Sequence, residues 1–443
     1  MSFEPDLLAG PAAAAPALTS AAASARSMPR LVRGLSFGIA GDLDGHLEAY
    51  GPLPAPRELG ARTLIKLVEH SGLCGRGGAA FPTATKMRAV RAARGRPIVV
   101  ANGCESEPIS AKDALLLHEL PHLVLDGATL AARAVGADEL IIAFEESNST
   151  ARRSLEYALA QRRDPVRVEL FVAGERFLSG QETALVSQIN GGPPKPTFTP
   201  PRPTDRGVRR RPTLIHNVET LAHLALIARH GAEWFRALGT EAEPGSRLVT
   251  VAGAVGAPGV YEIESATSLR TLLGAAGGTT AELGGLLIGG YFGSWLPAGA
   301  IGALDLSRAS LARHGAALGC GVLVALPASS CPVAETVRIA IYLATETAGQ
   351  CGPCVHGTAA IARTLHGIAE GKAPRNAFAD LRRWTAELPG RGACHHPSGL
   401  ARFVSTALST FAEQFDDHAR HGPCRRCDGE PVLEFPASAL ALA

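Results

Sequence analysis

Three short apolar runs, Pro97–Ala101 (PIVVA), Glu139–Phe144 (ELIIAF) and Val166–Val172 (VRVELFV), are separated by stretches of helical periodicity. Runs of that length and β-branched content read as strands, and strands alternating with helices close into a parallel sheet. The helices expected around them are 57–72, with Leu64, Leu67 and Val68 on one face, then Ala84–Ala93, Lys112–Val135 interrupted at Pro121, Ser149–Gln161 and Asn217–His230. This places an α/β domain over residues 31–240. A second segment, 245–330, carries short strands at Arg247–Ala254, Gly259–Ile263, Gly285–Ile288 and Cys320–Ala325 around one helix, Ser268–Ala275. That pattern predicts a compact α+β module. The third segment, 333–420, is helical over Val333–Thr345, Cys354–Glu370, Phe378–Glu387 and Ser398–His418, and its short connections predict a small bundle. Residues 1–30 are Ala-, Pro- and Ser-rich and are expected to be disordered. Residues 421–443 form a tail with one CxxC pair.

Composition narrows the function. A net charge of +2 over 443 residues gives no basic excess, and aromatics are 5% of the chain. Neither suits a nucleic-acid binder. No apolar run reaches the roughly 18–20 residues needed to span a bilayer, so direct membrane insertion is not expected. The N-terminus carries Glu4 and Asp6 before any basic residue and does not read as a secretory signal. Nine cysteines, an odd count in a long chain, point to free thiols and metal ligands and to a cytoplasmic setting.

Gly75, Gly77 and Gly78 lie between two helical stretches. This is neither a Rossmann fingerprint, which follows a strand, nor a Walker A loop. Three glycines in four residues still let backbone N–H groups approach a phosphate at the start of the next helix, with Lys86 as a counter-charge. A plain helix–helix turn is the alternative. Asn102-Gly103-Cys104-Glu105-Ser106-Glu107-Pro108 directly follows a strand, where α/β sheets place ligands. The Pro- and Arg-rich stretch 191–212 reads as a long functional or mobile loop.

Four blocks together, SGLCGRGGAAFPTATK, ANGCESEP, FLSGQETAL and PTLIHNVETLA, resemble in sequence and order the NADH-binding flavoprotein subunit of respiratory complex I and its relatives in hydrogenases and formate dehydrogenases. The resemblance covers about residues 57–420. It implies a multidomain α/β chain: a Rossmann-like FMN domain, an SLBB-like β-grasp module, and a helical bundle carrying iron–sulfur. It implies FMN near Gly75, Arg76, Gly77, Gly78, Lys86, Asn102, Glu105, Gly180, His216, Asn217 and Thr220. Phe81, Glu107 and Glu182 are implied to face NAD(H). Some positions depart from the family pattern. Cys104 and Gln181 stand where the family has acids, His216 stands for an asparagine, and Thr199–Arg202 lacks the family's basic–aromatic pair.

The cysteines follow the same logic. Cys351 and Cys354 form a CxxC at a helix start, a spacing compatible with zinc, iron–sulfur or a redox dithiol. Cys394, in Gly392-Ala393-Cys394-His395-His396, is a third candidate, while Cys74, Cys320 and Cys331 read as small buried hydrophobes. In the family, a CxxCxxC run plus one distant cysteine holds a [4Fe–4S] cluster. Cys351, Cys354 and Cys394 match three ligands, and Ala348 occupies the first. Candidates for the fourth are Cys424, Cys427, His395 or His396. A cluster with a non-protein ligand, a three-iron cluster, or zinc held by the two CxxC pairs are the alternatives.

The expected function is electron transfer from a reduced nicotinamide through FMN to an iron–sulfur cluster and a ferredoxin-like or other iron–sulfur partner. Two other readings remain open. One is a redox adaptor reduced by ferredoxin or another flavoprotein; the other is a binding protein with a vestigial flavin site.

Overall fold

The computed structural model describes residues 20–22, 29–37 and 41–435. The expected order holds: an α/β layer, a β-grasp module, then a helical bundle. Most of the segment 1–30 lies outside the described residues; within it, Ser20–Ala22 pairs in parallel with Gly259–Glu264.

The first sheet has four parallel strands in the order Arg167–Ala173, Glu139–Glu145, Ile98–Asn102, Thr213–Asn217. Ile98–Ala101 is fully buried, as strands covered on both faces must be. Helices Pro121–Val135 and Val218–His230 cross at Gly127, where a Cβ would lie 1.8 Å from the Leu221 carbonyl oxygen. Only glycine permits that approach. Strand Thr213–Asn217 has no counterpart among the expected elements, because it is joined without a break to helix Val218–His230. Asn217 ends the strand and caps the helix, its side chain accepting from Glu219 N–H at 3.0 Å. The preceding arginine-rich loop is pinned to the sheet edge: Arg209 pairs with Glu139 and Glu169, and Arg211 with Glu139 and Asp138.

The second sheet runs Ser20–Ala22, Gly259–Glu264, Ser246–Gly253, Val322–Pro327, Leu283–Ile288, Ser294–Leu296. Its central pair, Ser246–Gly253 and Val322–Pro327, is parallel, and helix Leu269–Ala275 packs its Leu269 and Leu272 into the module's core. The strand Ser294–Leu296 and helix Arg308–Arg313 are additions to the expected pattern.

The bundle holds helices Pro332–Thr345, Ala359–Ala369, Ala377–Glu387, His396–Thr410 and Ala412–His421. The last two replace the single helix expected there. Phe411 breaks the run with non-helical dihedrals, and its ring packs edge-on against Trp295 of the module at 5.3 Å. The tail does not leave the body. Leu433 and Phe435 are buried in the core shared by the bundle and the module.

Candidate functional site

The Gly-rich loop is a closed turn. Gly75 N–H donates to the Phe81 carbonyl at 2.9 Å, and Thr83 N–H to Leu73 at 3.0 Å. Gly78 has φ +104°, a conformation open to glycine. At Gly77 a Cβ would come 3.3 Å from the Asn217 Cβ, so the loop lies directly on the strand-to-helix junction. Thr220 fixes it there, its hydroxyl oxygen accepting from Arg76 N–H at 2.9 Å.

The other blocks meet at this point. Asn102 ends its strand beside Asn217 in register. Its side-chain amide donates to the Gly180 carbonyl at 2.8 Å, and Asn217 donates back to the Asn102 carbonyl at 3.3 Å. Gly180 is pressed against the Asn102 loop: a Cβ would sit 2.8 Å from the Cys104 carbonyl oxygen and 2.9 Å from Ser106 Oγ. Lys86 Nζ donates to the Ile215 carbonyl at 2.9 Å and pairs with Glu182 at 2.6 Å. Gly75, Gly77, Gly78, Lys86, Asn102, Gly180, Glu182, Asn217 and Thr220 are thus gathered at the C-terminal edge of the parallel sheet, where the strand order reverses.

Other residues named from the sequence occupy supporting positions. Arg76 is buried and turns away, donating to the Ser246 carbonyl at 2.9 Å with Glu219 at 4.0 Å. Glu105 caps helix Lys112–Glu119, accepting from Asp113 and Ala114 N–H at 2.9–3.1 Å. Gln181, at the departed acid position, caps helix Glu182–Ile189 by accepting from Thr183 and Ala184 N–H. Phe81 keeps its ring 45% exposed. Lys112 and Asp113, not singled out from sequence, lie beneath the site: Lys112 Nζ contacts Asp113 at 2.7 Å and Glu219 at 3.0 Å. Nothing in their spacing marks a lysine that the fold will bury.

Burial controls the charges. Glu107 is 9% exposed; burial raises its carboxyl to about 8, against the Tyr291 N–H that donates to it at 2.9 Å. Its other oxygen, Oε1, has no partner. Burial, then the Lys86 ammonium, lowers His216 to about 3, so its ring is neutral, and its Nε2 is also unpartnered. A glycine cradle, the adjacent Lys86 and the orphaned buried nitrogen of His216 beside that lysine are the kind of set a flavin phosphate with its polar tail requires. The residues fit FMN.

Six of the nine cysteines divide between two places. Cys351, Cys354 and Cys394 form one group at the C-terminal end of helix Pro332–Thr345. Burial, then Cys394 and Cys351, push the Cys354 thiol up to about 12. The Cys394 sulfur accepts from His396 N–H. Of the fourth-ligand candidates, His396 already places Nε2 2.7 Å from the Leu343 carbonyl, and His395 is exposed. Cys424 and Cys427 lie near the opposite end of that helix, where their sulfurs gather with those of Cys331 and the ring of His418. Its 14 residues, at about 1.5 Å each, separate the two ends by roughly 21 Å. Zinc shared between the two CxxC pairs is therefore excluded. Cys331 also departs from expectation: it is buried, but its sulfur faces His418 at 3.4 Å.

Comparison with known proteins agrees with this geometry. A family model described as the Nuo51 FMN-binding domain matches residues 68–226, an SLBB domain matches 248–286, and an NADH-ubiquinone oxidoreductase-F iron-sulfur binding region matches 334–418. The F 2 subunit of the NADH-quinone oxidoreductase of Rhizobium meliloti is 31% identical over 87% of this chain and 96% of its own. The chain belongs to the family of NADH-quinone oxidoreductase F subunits. The F subunit of Streptomyces coelicolor is 28% identical over 85% of this chain and 87% of its own. Among solved structures, an air-oxidized NAD+-reducing [NiFe]-hydrogenase superposes with a TM-score of 0.80 at 29% identity, covering 96% of this chain and 72% of that one. The H2-reduced form gives 0.74 at 31%, covering 82% of this chain and 63% of the hydrogenase chain. The family match carries FMN and an iron–sulfur centre as the cofactors, and Cys351, Cys354 and Cys394 supply three thiols within its iron–sulfur region. Among the described residues no helix is long and apolar enough to cross a membrane.

Proposed function

We propose that this chain takes electrons from a reduced nicotinamide nucleotide and delivers them to an iron–sulfur partner. The observation that carries the reading is the meeting of the Gly75–Gly78 turn, Asn102, Gly180 and Asn217 at the C-terminal edge of the parallel sheet, with Lys86 beside them. Bound FMN supplies conversion between two-electron and one-electron transfer, and a bound iron–sulfur centre carries single electrons.

The chain's own residues supply position and electrostatics. The Gly77 and Gly78 N–H groups, which make no bond within the turn, and Lys86 would hold the flavin phosphate. Asn102 and Asn217 fix the strand ends beneath it. Glu107, protonated at neutral pH, presents an uncharged oxygen toward the nucleotide. Cys351, Cys354 and Cys394 would hold the iron–sulfur centre, with Ala348 offering no fourth thiol. A packed route joins the two sites: Phe177, three residues before Gly180, donates through N–H to Glu346 at 2.9 Å, and its ring lies 5.9 Å from that of His396.

A second reading, reduction by a ferredoxin-type protein, is favoured by the engagement of Gln181 as a helix cap and by Lys86 already paired with Glu182. Anaerobic stopped-flow reduction separates the two. Loss of the flavin's visible absorbance on mixing with NADH or NADPH supports the first. Bleaching by reduced ferredoxin alone supports the second, and a protein that takes up no FMN overturns both.

A further inference from the structure

The C-terminal tail brings two cysteines to a place that the flavin and iron–sulfur sites do not use. Cys331 sits at the N-cap of helix Pro332–Thr345, and its sulfur accepts from Ala334 N–H at 3.4 Å. His418 lies in the last turn of helix Ala412–His421. Cys424 and Cys427 follow on a single tight turn, closed by Cys427 N–H donating to the Cys424 carbonyl at 2.9 Å. One ligand atom from each of the four lies within 4.8 Å of every other.

The individual distances match one small ion. Cys424 and Cys427 sulfurs are 3.8 Å apart, and His418 Nε2 is 3.4 Å from the Cys331 sulfur and 3.9 Å from that of Cys427. Tetrahedral zinc, with Zn–S about 2.3 Å and Zn–N about 2.05 Å, sets its ligands about 3.8 Å (S to S) and about 3.6 Å (S to N) apart. A cubane interposes an iron–iron edge between any two ligands, which spreads its thiolates wider than this. The histidine is also prepared. Its Nδ1 lies 3.1 Å from the Ala369 carbonyl, so that nitrogen carries the proton and Nε2 keeps its lone pair for a metal. Three sulfurs and one imidazole leave no open position, as in structural zinc sites.

We propose that Cys331, His418, Cys424 and Cys427 form a closed zinc site, distinct from Cys351, Cys354 and Cys394, that clamps the tail onto the bundle. The clamp has something to hold. Beyond it, Val432 N–H donates to Glu335 at 2.7 Å, and the Tyr291 hydroxyl donates to the Glu434 carbonyl. The backbone N–H of the same Tyr291 donates to Glu107. The tail therefore backs the module loop against which Glu107 is buried.

The test uses the full chain purified anaerobically without added metal or chelator. Elemental analysis is expected to give about one zinc per chain in the wild type and in a Cys351→Ser/Cys354→Ser/Cys394→Ser variant. Zinc falls at least tenfold in Cys424→Ser/Cys427→Ser, while FMN stays bound. Zinc X-ray absorption of the wild type reads three sulfurs and one nitrogen, which decides the ligand set even where a variant fails to fold. Trypsin cuts after Arg425 or Arg426 at least tenfold faster once a chelator has removed the zinc. A wild type without zinc that takes none up, iron lost with Cys424 and Cys427, or a Cys424–Cys427 disulfide in its place overturns the proposal.

Discussion

Replacing Glu107 by Gln should make the FMN-free protein more stable at pH 8 and leave it unchanged at pH 5. Burial raises this carboxyl from 4.5 to about 8. The folded state therefore holds a proton that the unfolded chain releases. Stability is fully present below the unfolded value and is lost as pH rises toward the folded one. At about 1.36 kcal/mol per unit, the loss between pH 5 and pH 8 is about 4 kcal/mol. Gln is isosteric, keeps an oxygen for the Tyr291 N–H, and cannot ionise. The two proteins should have equal urea midpoints near pH 5 and diverge steadily above it, with the variant ahead. The fluorescence of Trp295, buried in the module, reports the transition. Glu145, also raised to about 8 by burial, contributes its own slope to both proteins and cancels in the difference. Parallel curves, or a variant weaker than wild type at pH 8, would refute a buried neutral Glu107.

Three further perturbations test other parts. Thr220→Ala removes the hydroxyl that holds Arg76 N–H, worth about 1 kcal/mol, and should weaken FMN binding about fivefold by flavin fluorescence titration; unchanged affinity would detach the turn from the flavin. Gly127→Ala forces apart helices Pro121–Val135 and Val218–His230 and should cost about 3 kcal/mol in urea unfolding, whereas a near-neutral result would mean that the helices do not touch there. Ala348→Cys supplies a fourth thiol three residues before Cys351 and should raise the iron retained after aerobic purification, measured colorimetrically; iron equal to wild type would place the fourth ligand elsewhere.

The regular parts of the fold were legible because their signals are local. Strands Ile98–Asn102 and Glu139–Glu145 and the helix break at Pro121 follow from apolar runs and proline chemistry. The features missed depend on contacts distant in sequence. Thr213–Asn217 is a strand because Ile98–Asn102 offers it an edge, and Phe411 breaks a helix because Trp295 lies against it. Local spacing singled out Gly75–Gly78 and Asn102, the family resemblance added Asn217, and the fold brings these residues together. It could not show that Glu105 and Gln181 are engaged as helix caps, since that role depends on where the next N–H groups point. The thiols make the same point. Two CxxC pairs look equivalent as strings, yet one long helix holds them at opposite ends, and Cys331 looks inert until His418 is brought to it across 87 residues.

The altered acids have a common electrostatic consequence. The departures at Cys104 and Gln181 remove two carboxylates from this region, and the ones that remain are engaged or neutral. Glu105 caps a helix, and Glu107 and Glu145 hold protons at neutral pH. Glu219 stays ionised, lowered to about 2 in spite of burial because Lys112, His223 and Arg76 surround it. That leaves Glu182 as the acid facing the site, and it is paired with Lys86. On the proposed reading, a flavin phosphate at the turn would compete with Glu182 for the one Lys86 ammonium. The carboxylate proposed to face the nucleotide would then be freed as the flavin binds, and with the neighbouring acids engaged or neutral that exchange would set the charge of the cleft.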